Sequence, residues 1–475
     1  MGSDKECLKV LMFPWLAHGH ITPFLELAKR LSDRNFHCYI CSTPANLTSI
    51  ANKIPQKYSN SIHLLHLHLP SSPHLPPHYH TTNGLPLHLH SALRSALRAA
   101  KPDFSNILTT LQPHLLIHDI LLRWAGAIAS KKDIPSVTFF TSGAAMFSYF
   151  CHLGQRRGVE FPYPAIRLTE FELSMAIGAL ESSKNEEKDP DEEAGWNSGR
   201  TIIVNSSREI DGKYMDYLSE MLNREFVPVG SLVRDYDDDD ADEAVLMDWL
   251  SQKDKFSCVF VSFGTEYFLK REEIEEVAYG LELSNVNFIW ILRFPKGDGT
   301  TVAETLPAGF LERVGGRGRI VEKWASQAKI LNHSSVGGFV SHCGWNSLTE
   351  SIEFGVPIIA MPMHLDQPMN AKLVAELGVG VEVKRDNEGR LQREEIAKVI
   401  RDVVVGESGG ELRRQVVERR ERIRSRSREE MDETAHKLAQ IQERQRGKAA
   451  EGRDSEGDQR CSGGEKWGGI EKTSC

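Results

Sequence analysis

Gly337-Gly338-Phe339-Val340-Ser341-His342-Cys343-Gly344-Trp345-Asn346-Ser347-Leu348-Thr349-Glu350 is the stretch from which the rest of the chain is read. Residues 338–341 have strand character, His342-Cys343-Gly344 is a turn, and residues 346–353 begin a helical pattern. Strand, glycine turn and helix N-terminus in succession make an anion site, because free backbone N–H groups and the helix dipole both favour phosphate. His342, Asn346 and Ser347 add side-chain donors at that end, and Glu350, one turn on, can accept from a ribose diol.

The same alternation extends in both directions. Upstream, apolar runs at 259–263 and 288–292 flank a helical pattern at 271–283, and another run follows at 356–361. The first 140 residues repeat the scheme, with runs at 10–13, 37–41, 115–117 and 136–140. Strands alternating with helices indicate parallel sheets covered on both faces, so the expectation is α/β with two domains of similar size. The break between them is the acidic run Asp235-Tyr236-Asp237-Asp238-Asp239-Asp240-Ala241-Asp242-Glu243, which repels itself and reads as a solvated linker, not as a metal site. The expected boundaries are an N-terminal domain at 1–234, a linker at 235–245, a C-terminal domain at 246–435 and a disordered tail at 436–475.

Composition narrows the classes further. The 475 residues are long enough for two cores, the net charge of −9 disfavours nucleic acid as a partner, and no apolar run approaches the roughly 20 residues of a membrane span. No charged leader precedes the first apolar stretch, and the eight cysteines are scattered, so a cytoplasmic, reduced chain is expected. Eight histidines between His63 and His90 lack ligand spacing; the alternation at 66–69 fits a half-exposed strand and the later Pro/Asn/Gly segment a loop. Residues 411–428 carry eight arginines around Val416, Val417 and Ile423, which reads as a docked or solvated helix.

A second group of candidates follows the first strand. Pro14-Trp15-Leu16-Ala17-His18-Gly19-His20-Ile21-Thr22-Pro23 puts His20 near a carboxyl end of the sheet, where a neutral imidazole can take a hydroxyl proton. Asp119 ends another strand of that half and can hold the second ring nitrogen. His18 is the competing base. The turn lacks the Gly-x-Gly-x-x-Gly of a dinucleotide oxidoreductase.

From Trp324-Ala325-Ser326-Gln327 through His342–Glu350 to Pro362-Met363-His364-Leu365-Asp366-Gln367, the chain resembles the signature box of plant family 1 UDP-dependent glycosyltransferases. The resemblance implies two Rossmann-like domains facing across a cleft, the GT-B arrangement. It implies that Trp324 stacks on uracil, that Ala325 and Gln327 face uracil or ribose, and that Glu350 binds the ribose. His342, Asn346 and Ser347, beside Gly344, would bind the diphosphate; Trp345, Asp366 and Gln367 would hold the sugar hydroxyls. Thr141 and Thr265 match further donor-contacting positions. His20 would be the base and Asp119 its orienting acid, inverting the donor's anomeric carbon without a metal or other cofactor. Ser326 departs from the family's usual Pro. The segments 74–86, 263–268 and 364–367 resemble the branch that extends an existing sugar on a triterpenoid, flavonoid or apocarotenoid. UDP-glucose and a hydrophobic glycoside are therefore the expected substrates. Direct attack on an aglycone, and non-catalytic sugar-nucleotide binding, are the alternatives.

Overall fold

Ser136-Val137-Thr138-Phe139-Phe140 and Cys258-Val259-Phe260-Val261-Ser262 are buried at every position, which a strand achieves only with cover on both faces of its sheet. A computed structural model describes residues 7–170, 172–173, 189–233, 241–265, 267–294, 301–322 and 325–461, and in it both stretches lie in parallel sheets. The first sheet comprises β1 (Leu8–Phe13), β2 (Phe36–Ser42), β3 (Ile62–His66), β4 (Leu115–Asp119), β5 (Ser136–Phe140), β6 (Thr201–Val204) and β7 (Glu225–Pro228), in the order β3-β2-β1-β4-β5-β6-β7. The second comprises β8 (Cys258–Ser262), β9 (Asn287–Ile291), β10 (Gly318–Val321), β11 (Val336–Ser341), β12 (Ile358–Ala360) and β13 (Gly380–Glu382), in the order β10-β9-β8-β11-β12-β13. Both sheets are doubly wound, Rossmann-like, and reverse direction beside their first strand. The crevices therefore open at the carboxyl ends of β1 and β4 in one half and of β8 and β11 in the other.

The halves face across a cleft, as GT-B requires, and they share an apolar cluster. Phe140, Ala144 and Tyr149 of the first half pack in one cluster with Trp345, Leu348 and Met369 of the second. Asp235 to Asp240 of the expected linker lie outside the described residues, and the helix Ala241–Ser251 already begins within its remainder.

The tail requires a correction. The helix Glu407–Cys461 continues past the expected end of the second domain. Val416 and Ile423 pack into the shared cluster, whereas Met431, Ala435 and Leu438 enter the core of the first half beside Val10, Leu25 and Val229. Those three positions, spaced four and three residues apart, form one narrow stripe that a low apolar content conceals. Thr434 Oγ1 donates to the Pro228 carbonyl (2.8 Å), and Gln442 is also buried. Residues 436–442 are thus docked, while 462–475 lie outside the described residues. The arginine-dense segment docks too: Arg413 donates to the Val403 carbonyl (2.9 Å) and Arg419 to that of Glu209 (3.1 Å).

Candidate active site

The two crevices merge into one cavity of about 710 Å³, lined from both halves. On the first wall, His20 lies in the opening turn of the helix His18–Ser32, directly after β1. Asp119 is the last residue of β4 and is fully buried; its Oδ2 lies 2.7 Å from His20 Nδ1, and its Oδ1 accepts from the Leu121 N–H at 3.0 Å. A carboxylate at Nδ1 keeps the proton there and leaves Nε2 as the basic nitrogen. His18 lines the same cavity. Thr141, expected beside the donor, lines the cavity and also reaches the base: its Oγ1 is 3.0 Å from His20 Nδ1, because β5 delivers it next to β4.

The second wall is built on the helix Trp345–Phe354. Its N-cap, Gly344, supplies no side-chain hydrogen bond, so the first N–H groups have no intrahelical or capping partner. The turn into it is tight: Cys343 has φ of 64°. His342 lies between two glycine turns, since a Cβ at Gly264 or Gly344 would approach its Nε2 to 2.7 or 2.6 Å. Burial, aided by nearby His364, pushes the His342 pKa down to about 4, so the imidazole is a neutral N–H donor in this chain near pH 7.

Gln327 Nε2 donates to Glu350 Oε2 (2.7 Å) and Ser347 Oγ (3.1 Å), which joins the expected ribose and phosphate residues in one cluster. Ser326, in place of the family's Pro, has φ of −70° and accepts from the Lys329 N–H, so it caps the short helix it precedes. Asp366 Oδ2 accepts from Ser142 Oγ (3.1 Å) and Asn370 Nδ2 (2.9 Å), and burial raises its pKa. Gln367 folds onto its own loop, with Oε1 accepting from the Met363 and His364 N–H groups at 2.9 and 3.1 Å. Gly344, Ala325 and Thr265 line the cavity; Trp324 lies outside the described residues.

Two of the expected donor-side residues also reach the opposite half. The indole N–H of Trp345 donates to the Asn205 carbonyl in the opposite half (2.7 Å). Asn346 Nδ2 likewise donates across the cleft, to the Gly19 carbonyl at 3.1 Å. Sequence reasoning missed the apolar part of the first wall, formed by Ile120 and Leu121 after β4 and by Met146 and Phe150 on the helix Ala144–Gln155. The i, i+4 spacing of the last two was the available signal. Arg293, two residues past β9, was also missed. Among the described residues, no three His, Cys, Asp or Glu side chains gather as a metal site, and no helix is long and apolar enough to cross a membrane.

Comparison with known proteins gives two family matches. Residues 6–230 match the model described as glycosyltransferase, N-terminal domain, and residues 240–411 match UDP-glucoronosyl and UDP-glucosyl transferase. The chain is 53% identical to the beta-D-glucosyl crocetin beta-1,6-glucosyltransferase of Gardenia jasminoides, over 90% of this chain and 98% of that protein. It is 49% identical to a mogroside IIIx synthase of Siraitia grosvenorii, over 90% and 92%. The solved structure of Phytolacca americana UGT2 complexed with UDP-2fluoro-glucose and pterostilbene superposes with a TM-score of 0.70 at 28% identity, covering 91% of this chain and 100% of that one.

Proposed function

Since this chain belongs to the plant family 1 UDP-dependent glycosyltransferases, we propose that it transfers glucose from UDP-glucose to a sugar hydroxyl of a hydrophobic glycoside, forming a β-glucosidic bond. The observation that carries the reading is the shared cavity, with a His20–Asp119 pair on one wall and an uncapped helix N-terminus on the other.

His20 Nε2 removes the proton of the acceptor hydroxyl as its oxygen attacks the anomeric carbon. Asp119 stabilises the imidazolium that forms. UDP leaves from the opposite face, so an α-linked donor gives a β-linked product through an oxocarbenium-like transition state. Charge developing on the leaving diphosphate is met by the N–H groups of the helix Trp345–Phe354, by Ser347 and by the neutral His342. Fixed donors of this kind can each contribute about 3 kcal/mol. On this reading residues 1–234 hold the acceptor and 246–435 the UDP-sugar, with Gln327 and Glu350 on the ribose and Asp366 and Gln367 on the hexose.

The acceptor class is supported by wall chemistry. Ile120, Leu121, Met146 and Phe150 suit an apolar aglycone, while His20, Ser142 and Asp366 beside them suit hydroxyls. The Gardenia relative is named for adding glucose to an already glucosylated crocetin. A cytosolic site for the reaction is supported by Cys7, Cys38, Cys41, Cys151, Cys258 and Cys343, which are all free thiols.

UDP release with a monoglucoside and with its aglycone tests the proposal: the glycoside is turned over faster, and faster turnover of the aglycone defeats the sugar-on-sugar assignment. In His20→Ala, UDP-glucose binding persists by calorimetry while transfer falls by about 10²–10⁴-fold; unchanged transfer removes His20 as the base.

A further inference from the structure

Trp345 opens the helix on which the proposed diphosphate site is built, yet its side chain points away from that half of the molecule. The indole is 5% exposed and lies against Gly143 of the first half, so closely that a Cβ on Gly143 would come within 2.2 Å of the ring. Its N–H donates to the Asn205 carbonyl at 2.7 Å. Asn205, just past β6, holds the end of β5 at two points: its backbone N–H donates to the Phe140 carbonyl (2.9 Å) and its Nδ2 to the Thr141 carbonyl (3.1 Å). Thr141 in turn places Oγ1 at 3.0 Å from His20 Nδ1. A continuous series of contacts thus leads from the helix to the base. The next helical residue makes a second connection, through Asn346 Nδ2 to the carbonyl of Gly19, the neighbour of His20.

A buried aromatic between domains is ordinarily packing and nothing more. Two features here exceed packing. The socket matches the indole in shape, through a glycine against the ring, and in polarity, through a carbonyl on the N–H. The residue that forms the polar part of the socket also grips the segment bearing a partner of His20.

Resting on the transferase reading above, we infer that Trp345 is a positioning residue: its indole plugs into the socket of Gly143 and Asn205, fixes the closed register of the two halves, and thereby aligns His20 with the donor held on the same helix. The turn that binds the diphosphate is then also the turn that sets the base. The side chain acts through Asn205 and Thr141 and makes no contact with the sugar.

Trp345→Phe tests this, because it leaves an aromatic side chain in the socket while removing the N–H and part of the indole's bulk. Turnover of UDP-glucose and a glycoside falls by about 10²-fold, the scale of a roughly 1 Å misplacement of reacting groups. The KM for UDP-glucose and the calorimetric affinity for UDP stay within about threefold, since no donor contact is lost. Loss of UDP affinity in step with turnover would make Trp345 a donor contact and overturn the inference, as would unchanged turnover. Gly143→Ala, which fills the socket from the other half, gives the same split should the first variant not fold. The double variant is no slower than the worse single one, because both break one connection; additive losses would also count against it. A wild-type enzyme that transfers no sugar refutes the functional reading, whereas an active wild type with an equally active Trp345→Phe refutes only the plug.

Discussion

At the scale of the residue, the carboxylate beside His20 decides what the imidazole can do. Asp119 is fully buried, with Oδ2 on His20 Nδ1 and Oδ1 on the Leu121 N–H. Asp119→Asn keeps the volume but offers an amide that can turn its NH₂ toward Nδ1, which favours the tautomer with the proton on Nε2. Transfer therefore drops by about 10²–10⁴-fold with UDP affinity unchanged, measured by UDP release and calorimetry. The position of both residues at strand carboxyl ends was legible from the apolar runs before them, and their pairing came from the resemblance of Gly19-His20-Ile21-Thr22-Pro23 and the later Asp119 to the family's pattern. The side-chain partner of Trp345 was not legible: a sequence shows that an indole needs an acceptor, but not that the acceptor is a backbone carbonyl of the other half. The contact of Thr141 with His20 was not legible for a similar reason, since only the adjacency of β5 and β4 brings the two together.

At the scale of the element, the helix Ala144–Gln155 carries Met146 and Phe150 into the cavity, and its N-terminus is held by a carboxylate from elsewhere. Asp211 Oδ2 accepts from the Ala144 N–H (2.5 Å) and Oδ1 from Ser206 Oγ (2.6 Å), at a kink where Asp211 itself has φ of −142° within the helix Arg208–Leu222. Burial outweighs these hydrogen bonds and raises its pKa from 3.8 to about 6. The folded state therefore binds this proton more tightly than the unfolded one. The associated stability is fully present below pH 3.8 and is lost as pH rises through about 6. Compared with Asp211→Asn in urea titrations at several pH values, the wild type gains relative stability on acidification across that window. A flat difference would show that Asp211 titrates normally. The helix Ala144–Gln155 itself was not foreseen; its distant cap could not be, because 67 residues separate Asp211 from Ala144.

At the scale of the whole molecule, the closing helix makes one folding unit of two sheets. Val416 and Ile423 lie in the shared cluster, and Met431, Ala435 and Leu438 complete the core of the first half. Leu438→Ala empties a fully buried site and costs about 2–5 kcal/mol; the melting temperature drops as a single transition, because neither half retains its contacts once the helix leaves. Two resolved transitions would show independent halves. The two doubly wound sheets were evident from alternating runs, since fully covered parallel strands leave a strong apolar signal. The docking of residues 436–442 was not, because one stripe of three apolar side chains in a polar helix suffices when the receiving surface is already formed.

That stripe has a consequence in time. Val10, Leu25 and Val229 leave the ribosome well before their partners Met431, Ala435 and Leu438 are made. At ~5–20 residues per second, the roughly 200 residues between Val229 and Met431 take about 10–40 s to synthesise. Throughout that interval the nascent first half presents an uncovered apolar seam, the kind of surface that chaperones shield during synthesis.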